Sequence, residues 1–317
     1  MSKALLQIRL SELLYGLSTY LPLHNLISRR CTGGTNMSAY CYSVWLRHMV
    51  MAEQNNLNTS PRIVAELGPG DSLGIGLTAL VFGAEKYYAF DVVEFADIKK
   101  NLRVFEDIVA FAKKKRNIPD ENEFPEVKPY LDNYSFPEHI FPEERLNRCL
   151  KPERLERIRE SIQNPHRDDS VIRYVVPWSS QSVLEKNTVD LIFSQAVLEH
   201  VDDLRDTYKA MYDWLNDDGY LSHQIDFKNH GTAKDWNGHW LYSDFLWKII
   251  KGKRPYLLNR QPYSSHKRLL KQEGFSRIQV KKVQADSAFT LQQVNKQSRQ
   301  ISEEDLNTCG AYILATK

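Results

Sequence analysis

A short apolar run that ends in a glycine-rich turn constrains the fold of this chain more than any other stretch. Ile63–Leu67 has the composition of a buried strand, and the turn that follows it contains Gly68 and Gly70. Ile75–Phe82 is again apolar and suits a helix packed on a sheet. Glycines let the backbone turn tightly and approach a ligand, which the N-terminus of the next helix then faces. The sequence therefore predicts the opening strand–turn–helix unit of a nucleotide-binding α/β domain.

The spacing of the glycines indicates the kind of nucleotide. A dinucleotide fingerprint, Gly-x-Gly-x-x-Gly, would need a glycine where Leu73 stands. The pattern Glu66-x-Gly68-x-Gly70-x-Ser72 instead resembles motif I of the class I S-adenosylmethionine-dependent methyltransferases, with Ser72 in place of the third glycine. The resemblance implies that Glu66 helps to hold the ammonium end of the cofactor. It also implies that the turn lies against the methionine part, through Gly68, Pro69, Gly70, Asp71 and Ser72.

A second acidic residue supports an adenosine ligand. Lys86–Val93 reads as the second strand, and Asp91 falls at its end, 25 residues after Glu66. A carboxylate at this place can accept both ribose hydroxyls, which is the role that motif II has in the resembled family, and Val92 belongs to the same predicted site. Dinucleotide enzymes use the same device. Asp91 therefore predicts adenosine binding without separating a methyltransferase from a dinucleotide oxidoreductase.

The stretch Val189–Val201 resembles the fourth motif of the same family, in which a strand and a small-residue turn precede Val-Leu-Glu-His-Val. The resemblance implies that Ser194, Gln195 and Ala196 line the cofactor and acceptor side of a cleft. For His200 we expect structural hydrogen bonding rather than catalysis. After the third predicted strand no acidic residue follows to hold the adenine amino group, and Trp178 is the predicted substitute, by stacking.

The resemblance implies the fold class as well. We expect an α/β, Rossmann-like class I methyltransferase fold with a seven-stranded, mostly parallel sheet in the order 3-2-1-4-5-7-6 and helices on both faces. Residues 1–60 are predicted to form an N-terminal helical cap, and residues 61–317 the methyltransferase domain. A proline-rich segment at about 117–169 is predicted to be an insertion that carries part of the acceptor specificity.

The catalytic residues are predicted to follow the fifth strand, Tyr220–Phe227. A polar segment there contains His223, Asp226, His230 and His239. A neutral imidazole can take a hydroxyl proton near pH 7, with Asp226 orienting it. Two alternatives stay open: these side chains could bind a divalent cation that lowers the hydroxyl pKa, or they could be ordinary loop residues. Because the spacing matches no strict metal signature, we predict no metal ligands.

Composition narrows the partners. The formal net charge is only +2, so we expect no nucleic-acid partner. The four cysteines are scattered and indicate free thiols in the cytoplasm, and no apolar run is long enough for a membrane span. An amphipathic stretch at Leu5–Leu17 is predicted to pack on the domain or on a second copy of the chain, as in a homodimer.

The predicted activity is transfer of a methyl group from S-adenosyl-L-methionine to a hydroxyl, with a histidine as general base. A small molecule or a sugar or glycan precursor is the expected acceptor, because Trp236, Trp240 and Tyr242 could stack on sugar rings. Two alternatives remain: a non-catalytic S-adenosylmethionine-binding or interaction protein, and a metal-dependent O-methyltransferase.

Overall fold

The structure is a computed structural model. It describes residues 7–21, 34–164, 167, 169–178, 181–254, 256–295 and 300–317. Leu5 and Leu6, at the start of the predicted N-terminal helix, lie outside these ranges. None of the described helices combines the length and the apolar character needed to cross a membrane.

Seven strands form one sheet in the order β3-β2-β1-β4-β5-β7-β6, as predicted. Their bounds are β1 Ile63–Leu67, β2 Lys86–Phe90, β3 Ile172–Val175, β4 Val189–Gln195, β5 Leu215–Asp226, β6 Ser276–Gln284 and β7 Thr308–Thr316. The order reverses between β1 and β4, where a doubly wound sheet binds its ligand at the carboxyl ends of the strands.

The described helices lie before and between these strands. They are α1 Leu10–Ser18, α2 Ser38–Gln54, α3 Gly74–Val81, α4 Ile98–Lys113, α5 Glu143–Cys149, α6 Pro152–Gln163, α7 Leu204–Trp214, α8 Asp244–Lys251, α9 Tyr263–Gln272, α10 Leu291–Asn295 and α11 Glu303–Leu306. Short 3₁₀ turns cover Gln181–Val183, Leu198–His200 and Gly238–Leu241. The helix α3 is buried along its whole length because it packs between β1 and α2.

The register of β1 with β2 positions the candidate site. These strands are parallel, and their pairing runs from Ile63 opposite Lys86 to Leu67 opposite Phe90. Both strands therefore end at the same level, and the residues that follow them, Gly68 and Asp91, emerge at one edge of the sheet. Strand β4 is parallel to β1 on its other side.

The predicted turn at residues 216–219 is wrong, since β5 already begins at Leu215. Turn-forming residues occupy this stretch, but the backbone N–H of Lys317 donates to the carbonyl of Gly219 at 3.1 Å. Pairing with a distant strand thus overrides the local preference. The N–H of Phe227, at the other end of β5, donates to the carbonyl of Cys309 near the start of β7. The start of each strand thus lies opposite the end of the other, so β5 and β7 run in opposite directions. The last strand is antiparallel, as expected.

The chain divides into two compact units. Unit 1 takes the described residues of Met1–Arg29, Ala196–Tyr208 and Gln224–Ile313, and unit 2 takes those of Arg30–Gln195, Lys209–His223 and Leu314–Lys317. The predicted domain boundary at residue 60 does not coincide with this division. Within unit 1 helix α1 packs on α8, and within unit 2 helix α2 packs on α3 and α4.

The predicted insertion at 117–169 contains no strand among its described residues. It is held to unit 2 by the buried side chain of Arg47, which donates to the carbonyls of Pro119, Val127 and Pro129 at 2.7–3.1 Å. Arg154 donates to the carbonyl of Leu80 at 2.7 Å, close to the C-terminal end of α3. The segment is therefore part of the packed core of unit 2 and not only a surface loop.

Candidate functional site

The glycine turn in unit 2 has the backbone conformation that its sequence requires. Gly68 and Gly70 have φ of 64° and 73°, a left-handed region that side chains other than glycine rarely adopt. The N–H of Gly68 donates to the carbonyl of Phe90 at 2.8 Å, and that of Gly70 to Asp91 Oδ2 at 3.3 Å. The turn after β1 is thus tied to the end of β2, and at Gly68 and Gly70 its backbone carries no side chain on which a ligand would collide.

Asp91 is predicted to hold the ribose. It is 6% exposed, and its Oδ1 accepts from the N–H of Val92 at 2.7 Å. Burial raises the pKa of this carboxyl, although the N–H groups of Val92, Gly70 and Val93 counteract it. Each carboxylate oxygen can accept more than one hydrogen bond. Asp91 therefore keeps the capacity to accept ribose hydroxyls while its orientation is fixed.

Glu66 is buried and stabilises the turn through hydrogen bonds. Its Oε2 accepts from the hydroxyl of Tyr87 at 2.5 Å and from the N–H of Gly76 at 3.2 Å. Burial raises its pKa to about 8, against the opposing effect of these two donors. These contacts join β1, β2 and α3, so Glu66 shapes the turn. Its predicted contact with an ammonium group stays a proposal.

Ser72 is fully buried, and its side chain has a structural role that a glycine could not have. Its hydroxyl donates to the carbonyl of Thr35 and accepts from the N–H of Gly74 at 3.1 Å. The N–H of Ser72 donates to Thr35 Oγ1 at 3.3 Å. Substitution of the third glycine by serine thus fixes residue 35 of the N-terminal segment against the turn.

Trp178 lies beside Asp91, the predicted acceptor for the ribose hydroxyls. Its backbone N–H donates to the carbonyl of Asp91 at 3.0 Å, and its ring packs against Phe90 and Trp214 at 5.8 and 5.5 Å. It is only half-buried. An aromatic face next to Asp91 fits the predicted contact with an adenine ring.

Ser194 and Gln195 end strand β4 and Ala196 follows it, and the three residues differ in burial and hydrogen bonding. Ser194 is fully buried, and its hydroxyl hydrogen-bonds to His223 Nδ1 at 2.7 Å. Gln195 donates to the carbonyl of Lys128 at 3.1 Å, while its buried Oε1 has no hydrogen-bond partner among the described residues. Ala196 is exposed with φ of 53°. Gln195 is therefore the one whose side-chain oxygen remains available for a ligand.

A cleft of about 490 Å³ opens in unit 2 between α4 and α6. Its lining includes Leu73, Asn101 and Tyr174 and none of the predicted cofactor-binding residues. Leu73 alone connects it with the glycine turn, where its N–H donates to Asn101 Oδ1 at 2.9 Å. The predicted cofactor site is the turn and not this cleft, because the turn combines the left-handed backbone of Gly68 and Gly70 with the carboxylate of Asp91.

The four predicted catalytic residues separate in the structure. His223 is buried on β5, and His239 is buried in the Gly238–Leu241 turn. His230 and Asp226, by contrast, have side chains that are 29% and 30% exposed, with His230 Nε2 3.5 Å from Asp226 Oδ2. His230 also has φ of 47°, a strained value for a residue other than glycine. Of the four predicted residues, His230 and Asp226 are the ones with partly exposed side chains.

Two further residues that the sequence did not predict as catalytic join this pair. One ligand atom each from Glu199, His200 and His230 lies within 4.8 Å of the others. The rings of His200 and His230 are 5.1 Å apart. Together with Asp226 we call these residues the acidic–histidine cluster, and all of them belong to unit 1. The signal for Glu199 and His200 was present in the Val-Leu-Glu-His-Val motif, but the spacing did not reveal which distant residues meet them.

The aromatic residues near the cluster do not offer the predicted sugar platform. Trp240 and Tyr242 are fully buried. Trp236 is half-buried, and its Nε1 donates to the carbonyl of Asp286 at 2.9 Å. Of the three, only Trp236 keeps an accessible ring, so the stacking argument for a sugar loses most of its basis.

Burial governs the charges in the cluster. It raises the pKa of Glu199 well above its usual range, with a further contribution from the nearby charge of Asp226. It lowers the pKa of His200 to about 4, and His230 adds to this effect. Burial would raise the pKa of Asp226 too, but hydrogen bonding to His230 and to the N–H of Lys228 outweighs it, so the pKa of Asp226 is below its usual value. His200 is thus a neutral imidazole at pH 7.

Comparison with known proteins agrees with this architecture. Residues 144–222 match the model of a family described as "Methyltransferase domain". No curated protein sequence matches the chain. Solved structures of similar topology include the phosphoethanolamine N-methyltransferase 2 of Haemonchus contortus in complex with S-adenosyl-L-methionine, with 12% identity and a TM-score of 0.43. The match covers 96% of this chain and 60% of that one.

Two further solved structures are covered more fully. An S-adenosylmethionine-dependent methyltransferase of Mesorhizobium loti has 14% identity and a TM-score of 0.39, over 81% of this chain and 91% of that one. A putative methyltransferase of Bacillus halodurans has 12% identity and a TM-score of 0.40, over 87% and 99%. At such values none of these structures carries an argument about the acceptor.

The sheet order and the glycine turn with its acidic partner are those of a Rossmann-like α/β fold. The methyltransferase-domain family model matches residues 144–222, and the sequence motifs resemble those of the class I S-adenosyl-L-methionine-dependent methyltransferase superfamily. S-adenosyl-L-methionine is the cofactor of that superfamily. The left-handed glycines and the available Asp91 oxygens fit it.

Proposed function

We propose that this chain transfers a methyl group from S-adenosyl-L-methionine to a hydroxyl group of a small-molecule acceptor. The observation that carries the cofactor assignment is the hydrogen bond that joins Gly70 to Asp91 at the shared edge of β1 and β2. It brings the carboxylate of Asp91, our proposed acceptor for the ribose hydroxyls, beside the glycine turn and so supports the assignment. The fit of the residues supports the proposal, and binding experiments test it.

Each cofactor-binding residue has a separate role in this proposal. Asp91 accepts the two ribose hydroxyls, and the ring of Trp178 stacks on the adenine. The backbone from Gly68 to Ser72 lies along the methionine part. Glu66 holds the turn in shape, and its carboxyl group accepts a hydrogen bond from the ammonium end. Gln195 Oε1, which is buried without a partner among the described residues, is a further acceptor for that end.

The bound cofactor supplies an electrophilic methyl group on a sulfonium ion. In the reaction the acceptor oxygen forms a bond to this carbon, the carbon–sulfur bond breaks, and the hydroxyl proton must leave the acceptor. Positioning in a site that excludes water supplies most of the acceleration, with deprotonation as the added step. We assign the deprotonation to the acidic–histidine cluster.

Within the cluster His230 carries this role. It is partly exposed, it lies 3.5 Å from the carboxylate of Asp226, and it belongs to the group that includes Glu199 and His200. It acts either as the general base, with Asp226 orienting it, or as a ligand of a cation that lowers the hydroxyl pKa. His223 and His239, which the sequence also predicts as catalytic, are 1% exposed and have no comparable access.

The proposal is tested by incubating the purified protein with S-adenosyl-L-methionine and a panel of alcohols, phenols, sugars and nucleotide sugars. Release of S-adenosylhomocysteine and a mass gain on the acceptor are expected for at least one hydroxyl class. The second candidate, a non-catalytic binding protein, predicts tight cofactor binding without turnover. Transfer to amines but not to hydroxyls would contradict the assignment of the acceptor atom.

A further inference from the structure

Glu199 is the most unusual side chain of the described residues. It is 2% exposed, and neither carboxylate oxygen has a hydrogen-bond partner among them. The N–H groups of Glu199 itself and of Asp226 lie near enough to lower its pKa, but neither meets hydrogen-bond geometry. Leaving a buried polar group without a partner is unfavourable, and more so when the group is charged. A carboxyl in this state is expected to have a ligand that supplies the missing interaction.

The neighbours of Glu199 indicate the kind of ligand. Its carboxylate lies in one group with imidazole nitrogens of His200 and His230, all within 4.8 Å of one another. A carboxylate and two imidazoles form a donor set that suits divalent cations such as Zn²⁺ and Mn²⁺. The group combines a buried, unpartnered oxygen with two nitrogen donors.

The surroundings of His200 match those of a metal-ligating histidine. Its Nδ1 donates to the carbonyl of Tyr256 at 2.7 Å, which keeps the lone pair on Nε2. Metal-bound histidines usually donate their other nitrogen to a carbonyl or carboxylate in this way. On the side of His230, the carboxylate of Asp226 lies 3.5 Å from Nε2 and can orient that ring.

The backbone that carries these residues is fixed by side chains. Asn259 donates to the carbonyls of Leu198 and Val201 at 2.7 and 2.8 Å, and its N–H donates to the carbonyl of Glu199 at 2.8 Å. The 3₁₀ turn that presents Glu199 and His200 is therefore held at both ends. Such supporting contacts are what a site needs to keep its ligands in place.

The loop that presents His230 is held in a similar manner by Asn229. The Oδ1 of Asn229 accepts from the N–H of Gly231 at 2.6 Å, and its backbone N–H donates to the carbonyl of Trp236 at 2.8 Å. The side chain of His230 remains partly exposed. Ligands at about 2.0–2.2 Å from a tetrahedral cation lie roughly 3.3–3.6 Å apart. Rotation of the His230 side chain can bring its ligand nitrogen to this distance from the ligand atoms of Glu199 and His200.

We propose that Glu199, His200 and His230 bind one divalent cation, with Asp226 orienting His230. The cation provides the partner that Glu199 otherwise lacks. Its role in catalysis, lowering the pKa of the acceptor hydroxyl so that the proton is lost to solvent as the carbon–oxygen bond forms, rests on the proposed methyl transfer. Its binding does not, and binding is therefore measured without cofactor or acceptor.

The test uses the full chain, stripped with a chelator and titrated with Zn²⁺ and separately with Mn²⁺. Metal content after desalting and calorimetric binding are the readouts. One cation per chain is expected for at least one of the two metals. Glu199→Gln and His230→Asn should each weaken its binding by more than about 100-fold, and Asp226→Asn by about 10–100-fold. Asparagine is chosen at position 230 because it tolerates a positive φ.

The exposed pair of His139 and Glu53, 3.9 Å apart, provides the matched control. His139→Asn should leave the stoichiometry and affinity unchanged. Should Glu199→Gln fail to fold, as judged by circular dichroism, the partly exposed His230→Asn keeps the test valid. The proposal is overturned if neither metal binds the wild-type protein, or if the folded Glu199 and His230 variants bind as tightly as the wild type. Either result leaves the test for S-adenosyl-L-methionine unaffected.

Discussion

Two buried glutamates, Glu66 in unit 2 and Glu199 in unit 1, differ in their hydrogen-bond partners. Both are almost fully buried, and burial raises the pKa of each. Glu66 is paired with the hydroxyl of Tyr87 and the N–H of Gly76, whereas Glu199 has no such partner among the described residues. A buried acid with partners stabilises a fold, while one without partners destabilises it unless a ligand binds. Burial alone therefore does not separate a structural carboxylate from a ligand-binding one, but its partners do.

The largest effect is expected at the turn that Glu66 supports. Gly68→Val should abolish S-adenosyl-L-methionine binding, because a β-branched residue cannot adopt φ of 64° without strain and its side chain would meet the ligand. Gly231→Ala is the control, since Gly231 has φ of 84° and open space around it. Calorimetry with S-adenosylhomocysteine measures both variants. Undiminished binding to Gly68→Val would remove the turn from the cofactor site.

In unit 1, substitution of His230 tests the role of the group that contains Glu199. His230→Asn should lower turnover by roughly 10²–10⁴, the range for a positioned proton-transfer group, and leave cofactor affinity unchanged. His139→Asn should change neither. Once an acceptor is found, single-turnover kinetics measures this effect. Removal of metal by a chelator then separates the two routes, because a free histidine base keeps its activity and a cation site loses it. Full turnover in the asparagine variant would leave positioning alone as the source of catalysis.

Asp91 tests the unit 2 side at a smaller magnitude. Asp91→Ala should weaken cofactor binding by ~1.5–3 kcal/mol, or about 10- to 150-fold, as expected for a lost hydrogen bond to a charged group. The exposed Asp132 offers the control substitution Asp132→Ala. The affinities come from titration calorimetry at one ionic strength. Equal affinities in both variants would mean that the ribose is held elsewhere.

The difference between the glutamates is also measurable as stability. In protein stripped of metal, Glu66→Ala leaves two donors unpaired, whereas Glu199→Ala breaks no hydrogen bond. Both variants lose the same atoms from buried positions, so Glu66→Ala should be the more destabilising by about 1–3 kcal/mol. Urea unfolding followed by circular dichroism gives the free energy of unfolding of each. Equal losses would show that the two carboxyls have equivalent partners in solution.

A buried histidine in unit 2 gives a predicted effect on the pH dependence of stability. Burial lowers the pKa of His48 to about 3, and its Nδ1 is 2.6 Å from the hydroxyl of Ser222. Between pH 6.5 and 3 the unfolded chain binds a proton at this residue that the folded chain does not. The contribution of His48 to stability is therefore complete above pH 6.5 and falls by about 1.4 kcal/mol per pH unit below it.

The variant His48→Gln isolates this contribution. Its free energy of unfolding should decrease less steeply between pH 6 and pH 4 than that of the wild type, as measured by urea unfolding at each pH. Parallel pH profiles would mean that His48 is protonated in the folded state, contrary to its burial.

The strand order could be predicted only through the resemblance to a known family, whereas the glycine turn and the place of Asp91 depend on local sequence that is specific for their conformation. Gly68 and Gly70 indicate positive φ, and the apolar runs around them indicate buried strands. The first half of β5 could not be predicted, since Gly219 belongs to the strand only through its pairing with Lys317. The role of Arg47 in fixing residues 117–129 depends likewise on contacts that are distant in sequence.

The candidate site was predictable only in part. The sequence placed His230 and Asp226 together, but it ranked His223 equally, because alternation along β5 does not reveal that His223 is buried against Ser194. His200 was assigned an ordinary structural role. The meeting of Glu199 and His200 with His230 arises from two loops separated by 30 residues, and no spacing rule contains that information.

We propose above all that the turn at Gly68–Ser72, with Asp91, binds S-adenosyl-L-methionine. Titration calorimetry of the purified protein with S-adenosyl-L-methionine, S-adenosylhomocysteine and NAD under identical conditions tests this. We expect micromolar binding of the first two, one molecule per chain, and no heat signal from NAD. Tight binding of NAD with no response to S-adenosylhomocysteine would contradict it and assign the glycine turn to a dinucleotide.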